Sequence, residues 1–190
     1  AIECGALSKE EFETIKSEFY CLDTKIGQIL DESEKIKALA EKYSKSRNVF
    51  FIGRGLDYVV SKEGSLKLKE IAYLHSEAYA AGELKHGPIA MIDDETLVIA
   101  ILTQEKLFDK TLSNIKEVKA RGASVIAIAM EGNNIAAGEA DDIIYIPRAM
   151  WSIAPVLAAV PAQLFAYYMA YCLGTDIDQP RNLAKSVTVE

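Results

Sequence analysis

Apolar residues recur at helical spacing across residues 8–44. Phe12, Ile15, Phe19 and Leu22 make one face, and Ile29, Ile36, Leu39, Ala40 and Tyr43 make a second. Ser8 followed by Glu11 has the spacing of a capping box, and Gly27 or its neighbourhood is expected to divide the run. The period then changes. NVFFIG (48–53), TLVIAIL (96–102), ASVIAIAM (123–130) and DDIIYIP (141–147) are short apolar runs, the pattern of strands buried on both faces. Residues 57–73 read as a helix with Val60, Leu66, Leu68 and Ile71, and 105–121 as another, closed by Gly122. Ser76–Ala80 is short and admits an extended conformation, while Gly82–His86 fits one helical turn stopped by Gly87-Pro88. Ile153–Leu173 reads as a long apolar helix for a core or an interface, and from Gly174 onward no clear period remains.

Strands alternating with helices through short connections predict an α/β fold, a three-layer αβα sandwich around a mainly parallel sheet. The 190 residues suffice for one domain with a full core. The expected division is an N-terminal helical segment over 1–46, the α/β domain over 47–173 and a C-terminal tail over 174–190.

Charge narrows the function. With 21 basic and 28 acidic residues the net charge is −7, which disfavours nucleic acid and anionic membrane as partners. Cys4, Cys21 and Cys172 are far apart and odd in number, so neither a disulfide framework nor a metal site is expected, and a reducing cytoplasm is the expected compartment. The apolar run near 153–171 carries two prolines and a glutamine and reads as a buried helix, since a span needs about 20 continuous apolar residues. The first residues carry no signal-peptide pattern and no initiator Met, and an excised piece of a longer protein is expected.

Open parallel sheets bind ligands beyond the carboxyl ends of their strands, which directs attention to loops 53–57, 103–106, 131–135 and 148–152. Gly53-Arg54-Gly55 resembles the start of a dinucleotide fingerprint, but Tyr58 stands where the third glycine belongs. Asp57, near the helix start, repels phosphate and serves as a cap, so a structural role for this turn is favoured. Thr103-Gln104-Glu105-Lys106 is likewise short of the hydroxyls of a phosphate cup.

The chemistry concentrates in GSLKLKEIAYLHSEAYAAGELKHGP (64–88), which holds both histidines of the chain, His75 and His86. Lys67 and Glu70 share a helical face. Spacing alone makes them a solvated ion pair, while a functional reading makes Glu70 a base tuned by a cation. His86 sits in a turn that can present an imidazole or leave it exposed, and helix capping is sufficient explanation for His75. No third ligand completes a metal site. The tail, DQPRNLAKSVTVE, is too apolar and too constrained at Gln179-Pro180-Arg181 to read as disordered, and is expected to dock. Docking desolvates Lys185, which lowers its pKa and makes its amine a nucleophile for a carbonyl.

These two motifs, EGSLKLKEIAYLHSEAYAAGELKHGP and DQPRNLAKSVTVE, closely resemble the glutamine–fructose-6-phosphate aminotransferase (isomerising) family, the glucosamine-6-phosphate synthases. The resemblance runs through nearly the whole chain and covers the carboxy-terminal half of the sugar-isomerase (SIS) domain. It implies an SIS fold, no cofactor, and conversion of fructose 6-phosphate to glucosamine 6-phosphate with ammonia from glutamine. It implies that Lys185 forms a Schiff base with the open-chain ketose and that Glu70 moves a proton between C1 and C2. His86 assists ring opening at the partner subunit's site, in an expected homodimer. Lys67 stands beside the glutamate, and Ala184, Lys185 and Glu70 contact substrate. The glutaminase domain, the first SIS subdomain and that subdomain's phosphate-binding Ser/Thr cluster are missing, so weak or no turnover is expected of this piece alone. The alternative is a regulatory SIS module that binds sugar phosphate without catalysis; a stand-alone isomerase needs its own phosphate cup, and none is visible.

Overall fold

The computed structural model describes residues 2–135 and 138–181. Three helices lead in: α1 (Lys9–Tyr20), α2 (Leu22–Asp31) and α3 (Ser33–Tyr43). The capping box closes as expected, with Ser8 Oγ accepting from Glu11 N at 3.1 Å and a Glu11 carboxylate oxygen accepting from Ser8 N at 2.8 Å. The breaks fall at Cys21 and Glu32 rather than at Gly27, which lies inside α2. α1 buries none of its residues, whereas α3 buries Ile36, Ala40 and Tyr43.

The sheet is five-stranded and parallel. Its strands are β1 (Asn48–Gly53), β2 (Ser76–Ala80), β3 (Thr96–Leu102), β4 (Ser124–Met130) and β5 (Asp142–Ile146), in the order β2-β1-β3-β4-β5. The extended reading of Ser76–Ala80 is the one adopted: it forms the edge strand beside β1, in register from Val49 with Ser76 to Gly53 with Ala80. The order reverses between β1 and β3, so loops at their carboxyl ends diverge and leave a crevice.

Alternating strand residues build two cores. Val49, Phe51, Ile99 and Ile128 face α3, α4 (Leu56–Lys67) and α6 (Ala154–Cys172). Phe50, Ile52, Val98 and Ala127 face α5 (Phe108–Lys119) and the short helical turns over Ala81–His86 and Pro88–Met91. This is the expected αβα sandwich. The 19 residues of α6 are long and apolar enough to cross a membrane by length and composition, yet Leu157, Ala158, Phe165 and Met169 are spent on the sheet and its neighbouring helices.

Where one helix was expected over 57–73, α4 ends at Lys67 and gives way to a wider π-type turn over Leu68–Ala72. Leu68 and Ala72 anchor the turn in the core, and Tyr73 stops it in a left-handed conformation, φ 55°. Ser76 then fixes the edge strand to α4: its hydroxyl donates to Ser65 O at 2.8 Å, with the two hydroxyls 3.0 Å apart.

Candidate active site

The π-type turn carries Glu70 outward. Because Leu68 and Ala72 point inward, Lys69 and Glu70 are left exposed, and Lys67 at the end of α4 reaches across to Glu70. Lys67 Nζ lies 2.6 Å from Glu70 Oε2 and 4.0 Å from Glu63 Oε1. The hydrogen bond to Glu70 raises the Lys67 pKa, so the ammonium stays charged beside the carboxylate. A carboxylate with a fixed cation, open to solvent on one side, is a usable proton acceptor.

The chain returns to this turn at its far end. Thr175 Oγ1 donates to Ile71 O at 2.7 Å and lies 3.2 Å from Ala170 O, occupying a carbonyl that the widened turn leaves free. Asp176 Oδ1 accepts from Asp178 N at 3.1 Å and Gln179 N at 2.9 Å, which bends the segment. Ile177 packs on the core. Arg181 N donates to Tyr73 Oη at 2.9 Å, and its guanidinium lies 4.3 Å from the centre of the Tyr73 ring. Residues 175–181 therefore run along the turn that holds Glu70. Ala184 and Lys185 lie outside the described residues.

His86 sits elsewhere. It ends the 3₁₀ turn Ala81–His86 beyond the carboxyl end of β2, with its side chain 74% exposed and Nε2 3.9 Å from Glu83 Oε2. Ala81 and Leu84 tie this turn to the α5 face of the sheet, whereas Leu68 and Ala72 tie Glu70 to the α6 face. Glu70 and His86 thus flank opposite ends of β2, on opposite faces. His75, also exposed, has Nε2 3.8 Å from Glu77 Oε1, and its carbonyl accepts from Val49 N.

The Gly53–Asp57 turn is structural, in a way that spacing did not reveal. Arg54 donates through Nε and Nη2 to Asn114 Oδ1, at 3.2 and 2.9 Å, which commits its guanidinium to α5. Asp57 does not cap α4. Its buried carboxylate accepts from Thr103 N at 2.9 Å, Gln104 N at 3.2 Å and the Thr103 hydroxyl, joining α4 to the loop after β3. Beyond that loop a cleft of about 900 Å³ opens at the carboxyl ends of the central strands.

With this geometry in view, the comparisons with known proteins decide the family. The model described as SIS domain matches residues 42–173. The chain belongs to the SIS domain family. The SIS chain is 55% identical over 190 residues to a glutamine--fructose-6-phosphate aminotransferase [isomerizing] of Clostridium tetani, covering 100% of this chain and 31% of that protein. It is 54% identical over 190 residues to the same-named protein of Caldanaerobacter subterraneus, again covering 31% of its length. It therefore spans about a third of these curated relatives. The C-terminal domain of glucosamine-fructose-6-phosphate aminotransferase from Francisella tularensis superimposes with a TM-score of 0.87 at 34% identity, over 92% of this chain and 49% of that one.

Proposed function

We propose that this SIS domain is the carboxy-terminal isomerase half of a glutamine–fructose-6-phosphate aminotransferase, and that the Lys67–Glu70 turn with the C-terminal tail forms its proton-transfer site. The observation that carries the reading is the docking of residues 175–181 against the turn that presents Glu70. Lys185 follows Arg181 by four positions, so chain geometry limits their Cα atoms to about 14 Å apart. The likeness to aminotransferases of the same name, in two bacteria, supports the same substrate pair, fructose 6-phosphate and glucosamine 6-phosphate.

The chemistry follows from these groups. The Lys185 amine adds to the C2 carbonyl of the open-chain ketose and water leaves, giving an imine. Ammonia displaces the lysine from C2. Glu70 takes a proton from C1 and returns one to C2, so that C1 becomes the aldehyde and C2 bears the amine. Lys67 keeps the carboxylate oriented and balances its charge. The first SIS subdomain and the glutaminase domain of the longer parent protein supply the phosphate anchor and the ammonia. Three cysteines, odd in number and far apart in the chain, fit a reducing cytoplasm.

Borohydride trapping with fructose 6-phosphate in the full-length parent protein, read by peptide mass spectrometry, tests the assignment. The expected adduct is confined to Lys185 and lost in Lys185→Ala. Glu70→Gln should retain the adduct while losing isomerisation by about 10²-fold or more. Adducts scattered over many lysines count against the nucleophile, and unchanged isomerisation in Glu70→Gln counts against the base. The 190-residue chain alone is expected to turn over fructose 6-phosphate weakly or not at all.

A further inference from the structure

The cleft at the far end of the sheet has no part in this proton-transfer scheme, and its lining has a definite chemical character. Its volume of about 900 Å³ suits a small-molecule site. Leu107, Met130 and Met150 supply an apolar floor, and Trp151 lines the wall with 63% of its surface exposed. The loop bearing Trp151 is fixed through its backbone. Gln104 Nε2 donates to Trp151 O at 3.1 Å, and Ile153 N and Ala154 N both reach Met150 O at 2.9 Å. The backbone at Trp151 is thus fixed, and its ring remains available.

Three of the four charged residues lining the cleft are paired, and the fourth, Lys106, is exposed to solvent. Arg148 pairs with Glu105, and Glu18 pairs with Lys25 at 2.8 Å while lying 3.4 Å from Met150 N. An anion has an expected position beside this cleft, in the crevice between β1 and β3 that shares Thr103 and Gln104 with it, where loop amides usually hold a phosphate. Those amides are taken. Thr103 N, Gln104 N and the Thr103 hydroxyl all donate to Asp57, whose side chain is buried in a residue only 1% exposed. A phosphate entering the crevice meets a carboxylate in its place and finds its donors spent.

What the lining still offers is an aromatic platform beside a rim of paired donors and acceptors. A sugar ring matches it, with its C–H face on the indole and its hydroxyls on Gln104 and the Arg148–Glu105 pair. We propose that this cleft is a second carbohydrate site, separate from the Glu70 turn, that takes an unphosphorylated hexose stacked on Trp151, with Asp57 occupying the position of a ligand phosphate.

Trp151 is the sole tryptophan of the chain, so its fluorescence reports on the cleft alone. The purified 190-residue chain is titrated with D-glucose and D-fructose, and separately with inorganic phosphate at constant ionic strength. A saturable change with at least one sugar is expected, with a midpoint roughly in the millimolar range for so small a ligand. Phosphate should produce none. Saturation-transfer NMR on the same sugar should lose its signal in Trp151→Ala, a change at an exposed ring that leaves the core intact. Asp57→Ser, which frees the amides, should gain a phosphate response. Linear response to both sugars, a phosphate response in the unaltered chain, or an undiminished NMR signal in Trp151→Ala overturns the proposal. None of these outcomes touches the trapping of Lys185, so the two readings fail separately.

Discussion

Burial drives the Asp57 carboxyl up to about 6, against three hydrogen bonds from Thr103 and Gln104 that favour its ionised form. In the unfolded chain the same group titrates near its ordinary value of 3.8. Below that pH both states hold the proton and the group does not affect stability. Between about 4 and 6 the unfolded chain releases its proton first, so stability falls as pH rises, and above 6 the full loss is present. The shift corresponds to about 3 kcal/mol. Urea denaturation of the chain and of Asp57→Asn across pH 4–7 checks this. The difference between the two should change over that window in favour of the asparagine at higher pH, and a constant difference would refute the assignment. This residue also marks where reading the sequence stopped short. Its place near a helix start suggests a cap, but its partners are 46 and 47 positions away and belong to a different strand's loop. Lys67 and Glu70 were legible as a pair because helical spacing alone brings them together.

At the scale of elements, the apolar runs and periods marked β1, β3, β4, β5 and α6 with little ambiguity. Each is long or uniform enough for its pattern to exceed local noise. The edge strand was less legible, since Ser76-Glu77-Ala78-Tyr79-Ala80 has no strong apolar run and is held by the Ser65–Ser76 contact. The π-type turn was not legible at all, because its termination depends on Tyr73 and its free carbonyl is met by Thr175, 104 residues later. Close packing beneath this region gives a second prediction. Gly64 lets α4 approach the sheet: a Cβ there would lie 2.5 and 3.0 Å from two atoms of the Phe51 ring and 3.2 Å from Ala162 Cβ. Phe51 is fully buried and cannot swing away. Alanine gains up to about 1 kcal/mol in helix propensity, but overpacking typically costs 1–3 kcal/mol. Gly64→Ala should therefore lower the urea midpoint, and a raised midpoint would mean that the helix shifts freely.

For the whole molecule, the separation of Glu70 from His86 is the consequential fact. β2 has five residues, and at about 3.3 Å each it puts some 16 Å of strand between the two segments. The sheet itself lies between their faces. A single hexose phosphate held at Glu70 is out of reach of His86 in the same chain. If both residues serve one reaction, two copies must meet, each lending His86 to the other's Glu70, as a two-fold dimer allows. Two singly altered forms of the full-length parent protein, Glu70→Gln and His86→Ala, distinguish this arrangement from an intrachain one. Each alone is expected to lose most activity. Co-expressed in equal amounts, half of the dimers combine one of each, and in every such dimer one site inherits both defects while the other inherits neither. Activity should then recover to about a quarter of that of the unaltered protein. With both residues drawn from one chain, every site carries one defect and mixing restores nothing, so failure to recover would remove the shared site while leaving the roles of Glu70 and Lys185 to the trapping experiment.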